Sequence, residues 1–379
     1  MKSVAMVAGE VSGDILGGNL LSALRPCLPD TRIHGIGGPN MGQYGFVSHW
    51  PMEKLSVNGF FEVFAHFREI KKIRDDLRDI LIAEKPGVFV GIDAPEFNLG
   101  LEMQLKKAGI PTVHFVGPSV WAWRKGRIKT IAKAVSRILV LFPFEVDIYE
   151  KAGVPVTYVG HPMVKGIPME PDVVNARVAL GLPTDKPVIT IMPGSRMSEL
   201  KHNGAAFIGA ARLLAKRDSS IQFMVPMAGQ KQREYFSQQL IDAEMGDVQL
   251  HLVDGQSHRA IEAADVVLVA SGTATLEVAL FKKPMVIAYR LMRATWEIAK
   301  RLVTPPVGLP NILAREMIVP EFYQNDATPE ALADAVWKQL HDESRRRELY
   351  DRFMVMHESL LRDTASLSAQ AVLDVMNGK

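Results

Sequence analysis

Short apolar runs alternate with longer amphipathic stretches along most of this chain, the pattern of parallel strands joined by crossover helices. In the first half the runs are SVAMVA (3–8), RIHGI (32–36), GVFVGI (87–92), TVHFV (112–116), RILVLF (137–142) and TYVG (157–160). A proline- and acid-containing stretch over residues 161–187 breaks the rhythm. The alternation then resumes with VITIMPG (188–194), IQFMVPM (221–227), QLHLVDG (249–255), DVVLVASG (265–272) and PMVIAYR (284–290). The spacing predicts an α/β fold of two Rossmann-like parallel-sheet domains, 1–165 and 166–345, joined near residues 160–186. Ligands of such sheets bind outside the carboxyl ends of the strands, so the two halves would face each other across a cleft. A charged helical tail, 346–379, would pack back on the first domain or pair with a second copy as a homodimer.

One helical stretch departs from this scheme. In NGFFEVFAHFREIKKIRDDL (58–77), Phe60, Val63, Phe64 and Phe67 cluster around one direction at 100° per residue. Ile73, Leu77 and Ile80 cluster about a quarter turn away. A straight helix on a sheet keeps one stripe, so the early aromatic face reads either as core absorbed by drift or as surplus to it. Flanked by Arg68 and Lys71, it has the composition of an interfacial anchor.

Composition narrows the classes. Of the 379 residues 47% are hydrophobic and 23% charged, enough for a large core and too apolar for wholesale disorder. A net charge of +2 gives no global reason to expect nucleic acid. The single cysteine, Cys27, forms no intrachain disulfide and suits a reducing cytoplasm. No signal-peptide pattern opens the chain. The apolar run ILVLFPF (138–144) falls far short of the roughly 20 residues that cross a bilayer.

Candidate chemistry lies in the loops after strands. Gly9, Gly13 and Gly17 are spaced four apart and GIGG carries no acidic residue for a ribose, so the first half lacks the dinucleotide fingerprint. In the second half Gly194, Ser195 and Arg196 follow a strand directly, with a glycine for close approach and a guanidinium to clamp phosphate or carboxylate. Ser271, Gly272 and Thr273 repeat the arrangement before a helix carrying Glu277. Free N–H groups there make an anion site, and the carboxylate could accept two ribose hydroxyls. The same residues serve as an N-cap with a dipole-complementing Glu, but two such loops in one half favour a nucleotide diphosphate.

GEVSGD, GIGGPNM, GIDAPEFN, PSVWAWR, LFPFE, GHP, PGSR, ASGTATLE and LPNILA stand in the order found in lipid-A-disaccharide synthases, which this sequence resembles from about residue 3 to 325. The resemblance implies a glycosyltransferase-B architecture and an inverting, metal-independent hexosyl transfer without a redox cofactor. It implies transfer of 2,3-diacylglucosamine from its UDP derivative to 2,3-diacylglucosamine 1-phosphate. The products would be a β-1,6-linked disaccharide 1-phosphate and UDP, in lipopolysaccharide biosynthesis of Gram-negative bacteria. By the same resemblance Asp93 is the base, with Glu10 second. Gly194, Ser195, Arg196, Ser271, Gly272, Thr273, Glu277 and Asn311 hold the UDP-sugar, and Ser12, Asn98, Trp121, Trp123 and Arg124 the acceptor. Glu96 stands where the family commonly has Asp, which leaves Asp93 the better base. Because both substrates carry acyl chains, Phe60, Phe61, Phe64, Phe67, Arg68 and Lys71 are expected to meet the cytoplasmic face of the inner membrane. The nearest rival on the same architecture is a UDP-N-acetylglucosamine 2-epimerase.

Overall fold

The computed structural model describes residues 3–55, 60–118, 125–243, 248, 250–292, 296 and 305–378, without the side chains of 60–67 and 125. Trp121, Trp123 and Arg124 lie outside the described residues, as do the side chains of Phe60, Phe61, Phe64 and Phe67. The chain divides into two compact units, residues 1–163 with 360–379, and residues 164–359.

In the first unit β1 (Val4–Ala8), α1 (Val11–Cys27), β2 (Ile33–Ile36), α2 (Pro39–Gly42) and β3 (Val47–Trp50) precede the long α3 (Phe60–Glu84). There follow β4 (Val88–Ile92), α4 (Pro95–Lys107), β5 (Thr112–Phe115), α5 (Ile128–Ala134), β6 (Arg137–Val140), α6 (Phe144–Glu150) and β7 (Val156–Tyr158). The seven strands lie in the order β3-β2-β1-β4-β5-β6-β7, all parallel. β1 and β4 are buried throughout, as strands covered on both faces must be. β3 escaped the sequence reading because an edge strand with half-exposed residues shows no apolar run. On α3 the buried stripe runs through Ile73, Leu77 and Leu81, whereas Ile80, expected on it, is 39% exposed. Arg68 and Lys71 are exposed.

The second unit holds α7 (Val173–Ala179), β8 (Val188–Met192), α8 (Met197–Arg217), β9 (Gln222–Met227), α9 (Gln230–Asp242), β10 (Leu250–Asp254) and α10 (Ser257–Ala263). After them come β11 (Val266–Ala270), α11 (Ala274–Leu280), β12 (Met285–Tyr289), α12 (Leu309–Ala314), β13 (Glu321–Tyr323), α13 (Pro329–His341) and α14 (Glu343–Leu360). Its sheet is also parallel, in the order β10-β9-β8-β11-β12-β13. Three-residue β13, at an edge, is the other strand the pattern does not announce. The tail divides: α14 stays with the second unit, and α15 (Thr364–Met376) packs in the first against α1 and the β4–β6 side of the sheet. Ser368, Ala369, Ala371 and Val372 are its buried face.

Candidate active site

Each sheet reverses its strand order once, between β1 and β4 in the first unit and between β8 and β11 in the second. Loops leaving such a pair diverge to opposite faces and open a crevice at the carboxyl ends, the usual ligand position. The predicted loops follow these four strands.

In the first unit the backbone N–H of Asp93 donates to the Phe115 carbonyl (2.8 Å), continuing the β4–β5 ladder one residue past the strand. Asp93 and Ala94 then turn with φ of +51° and +42°. Two successive L-residues in the left-handed region cost roughly 1–2 kcal/mol each, and Pro95 starts α4 immediately. The turn leaves Asp93 half-buried at the switch point. A Cβ on Gly9 would lie 3.0 Å from the Ala94 Cβ, so the β1–α1 loop and this turn are in contact. Glu10 and Ser12, at the start of α1, are both exposed.

Asn98, expected at the acceptor, is fully buried: its Nδ2 donates to the carbonyls of Asp93 (2.8 Å), Ile92 and Val7 (both 3.4 Å). It clamps the strained turn from beneath. Glu96 pairs instead with Arg127. The GEVSGD and GIGGPNM motifs meet through buried Asp14, which accepts hydrogen bonds from the backbone of Gly38, Asn40 and Met41 and from the Asn40 side chain.

In the second unit Gly194 has φ +129°, and a Cβ there would fall 2.3 Å from the Glu199 Cβ. Glu199, unannounced in the sequence except as an acid at the third position of the helix, reaches back to the loop. Its Oε2 accepts from the N–H groups of Ser195 (3.0 Å) and Arg196 (3.3 Å), and its Oε1 from Arg196 Nη1 (3.1 Å). These donors therefore hold an internal carboxylate, which marks their preference for negative charge. Arg196 is 76% exposed beyond it.

The second loop is corrected in one respect. The Ser271 N–H donates to the Ala288 carbonyl (2.9 Å) and is spent in the sheet. Neither Ser271 nor Thr273 caps α11 through its side chain. Among the described residues the N–H groups of Gly272, Thr273 and Ala274 donate to no protein acceptor, and they are the donors left for an anion. One turn on, Glu277 faces His258, Nε2 3.6 Å from Oε2, a partner the sequence did not suggest. The facing Glu277 carboxylate raises the His258 pKa above its ordinary value, outweighing burial.

Both loops line one concavity of about 280 Å³, with Gly194, Arg196, Glu199, Gly272, Thr273 and Glu277 among its walls. Asn311 is not among them. It is fully buried, its Nδ2 donating to Val319 O (2.9 Å) and Glu321 Oε1 (2.6 Å) and its Oδ1 accepting from the Val319 N–H (2.9 Å). With both polar groups of its side chain engaged it holds β13 to α12. Among the described residues no group of three His, Cys, Asp or Glu side chains has metal-ligand geometry, and no helix is long and apolar enough to cross a membrane.

Two parallel-sheet units, each with loop sites at its switch point, are the elements of the GT-B architecture, which glycosyltransferases and sugar-nucleotide epimerases share. Solved structures agree on the fold. The UDP-GlcNAc 2-epimerase of Neisseria meningitidis, bound to UDP-GlcNAc, superposes with a TM-score of 0.61 at 12% identity over all of both chains. The calicheamicin glycosyltransferase gives 0.60 at 13%, covering 100% of this chain and 98% of its own. The lipid-A-disaccharide synthetase family profile matches residues 4–375. The lipid-A-disaccharide synthase of Cupriavidus pinatubonensis is 52% identical over all of this chain and 94% of its own length. That of Burkholderia mallei is 51% identical over 99% and 97%. The chain belongs to the lipid-A-disaccharide synthetase family.

Proposed function

We propose that this enzyme transfers 2,3-diacylglucosamine from its UDP derivative to the 6-hydroxyl of 2,3-diacylglucosamine 1-phosphate, giving the β-1,6-linked disaccharide 1-phosphate and UDP. The observation that carries the site assignment is Asp93 held in a left-handed turn at a switch point. A strained backbone kept by a buried clamp is the signature of a position set for chemistry.

An alcohol is a poor nucleophile at neutral pH, so inversion needs a base on the acceptor side. Asp93 takes the hydroxyl proton as the oxygen bonds to the anomeric carbon; Glu10, exposed on the adjoining loop, is the alternative. On the donor side the departing diphosphate gains negative charge. Arg196 and the N–H groups of Gly272, Thr273 and Ala274 stabilise that charge. Arg196 lends its guanidinium by exchanging Glu199 for phosphate, and Glu277 exchanges His258 for the ribose hydroxyls. The labour is divided, with the first unit supplying the base and the second the nucleotide site. Trp121, Trp123 and Arg124 remain the proposed acceptor wall.

The substrates' acyl chains place the work at the inner face of the inner membrane. Arg68 and Lys71, both exposed on α3, are the cationic part of that surface. Phe60, Phe61, Phe64 and Phe67 are its proposed apolar part.

UDP release with both acylated substrates, for wild type and Asp93→Ala, tests the reading. The expected result is release by the wild type and a loss of at least a hundredfold in the variant. Undiminished release from the variant would move the base elsewhere, with Glu10→Ala the next measurement.

A further inference from the structure

Glu102 on α4 and His114 on β5 are both completely buried, with Oε1 2.7 Å from Nδ1. Glu102 reaches its partner across Gly91, which is paired with His114 in the β4–β5 register. A Cβ on Gly91 would fall 2.1 Å from that Oε1, so the crossing exists only because the strand is bare there. Glu102 Oε2, His114 Nε2 and Asn98 Oδ1 are buried without a hydrogen-bond partner among the described residues. Each such orphan costs about 1–3 kcal/mol. Apolar residues of similar volume are often at least as stable as a buried pair of this kind. Fold stability therefore does not account for it.

Position does. Gly91 lies two residues before Asp93 on the same strand, and Asn98, packed on Gly91, donates to the Asp93 carbonyl. Of the charged groups on elements packed around His114, Glu102 of α4 and Asp93 at the end of β4 act on it. Lys106 of α4 is turned to the Val135 carbonyl, Arg137 of β6 to Thr157, and Asp374 of α15 to Gln370. Lys129 and Lys133 of α5 are exposed.

We propose that Glu102 and His114 are positioning residues for Asp93, a buried pair holding one proton that rests on the imidazole while Asp93 is ionised and on Glu102 once Asp93 is protonated. This rests on Asp93 being the base. The acceptor hydroxyl gives its proton to the Asp93 carboxylate, and its oxygen forms the bond to the anomeric carbon. The bond from that carbon to UDP breaks, its electron pair leaving on phosphate. Within the pair the proton moves from Nδ1 to Oε1, with no net gain or loss. Burial alone would lower the His114 pKa, but the charges of Glu102 and Asp93 outweigh it and raise it, while burial raises that of Glu102.

Two measurements decide. In Glu102→Gln, which keeps shape but cannot take up the proton, the acid limb of the kcat/KM profile should move up by about one pH unit. Below that limb kcat/KM should fall about tenfold, with the alkaline plateau and the KM for the UDP-sugar within about twofold of wild type. A uniform loss at all pH values, or an unmoved limb, would show a merely structural pair. Independently of activity, the His114 imidazole titration followed by NMR in the full chain should move down in Asp93→Asn; an unmoved titration overturns the coupling. An Asp93→Asn enzyme that stays fully active rejects the base itself and the pair's role with it. An inactive one with His114 unmoved rejects the pair alone.

Discussion

Gly91→Ala introduces a single methyl on a buried strand whose backbone accepts alanine. The new carbon would lie 2.1 Å from Glu102 Oε1, 2.9 Å from the Asn98 Cβ and 3.0 Å from the Asn98 Cγ. Favourable heavy-atom contacts lie near 3.5–4.0 Å, so the carboxylate must retreat by more than about 1 Å. That breaks its 2.7 Å contact with His114 and leaves both groups buried and unpaired. Breaking a buried pair costs about 3–5 kcal/mol, and overpacking adds strain of the order of 1–3 kcal/mol. A net loss of about 3 kcal/mol or more is expected in the urea transition of the first unit. The discriminating control is the double mutant cycle with Glu102→Ala, which removes the 2.1 Å clash and leaves only the Asn98 contacts. In that background the glycine change should cost at least about 1 kcal/mol less than in the wild type. A cost below about 1 kcal/mol in the wild type, or equal costs in both backgrounds, refutes the argument that Gly91 exists to admit Glu102.

Three further outcomes follow from the same geometry. Arg196→Ala should weaken UDP binding by about 10- to 100-fold in calorimetry, the worth of a charge-assisted hydrogen bond, while leaving the unfolding midpoint nearly unchanged because the side chain is 76% exposed. Ala94→Gly should stabilise the first unit by about 1 kcal/mol in urea unfolding by relieving a φ of +42°, and should lower kcat as the Asp93 turn loosens. Lys283 is buried, and burial pushes its amine down to about 8 despite the attraction of Asp265. The unfolded chain keeps the ordinary 10.5 and so binds more protons between those values, which makes wild-type stability rise with pH there. Lys283→Met should therefore gain of the order of 2 kcal/mol at pH 7, a gain that shrinks as pH passes 8 and is the reverse of what a structural ion pair would give.

What the sequence determined by itself is what neighbours along the chain decide. Apolar runs of strand length, glycines at strand ends and a Ser-Gly-Thr before a helix are local properties, and they sufficed for two parallel-sheet units and the loops bearing Asp93, Arg196 and Glu277. β3 and β13 were illegible because edge strands are held by a neighbouring ladder rather than by an apolar run. Asn98 and Asn311 looked like ligand contacts because an amide in a loop motif is ambiguous until its partners are known. In the fold both are enclosed, one under Asp93 and the other against Val319 and Glu321. Glu199 turning back onto its own loop, His258 reaching Glu277, and Glu102 crossing Gly91 to His114 depend on register, helix placement and the absence of a Cβ. Only tertiary structure settles those, because the energy of a polar side chain is set by what surrounds it after burial.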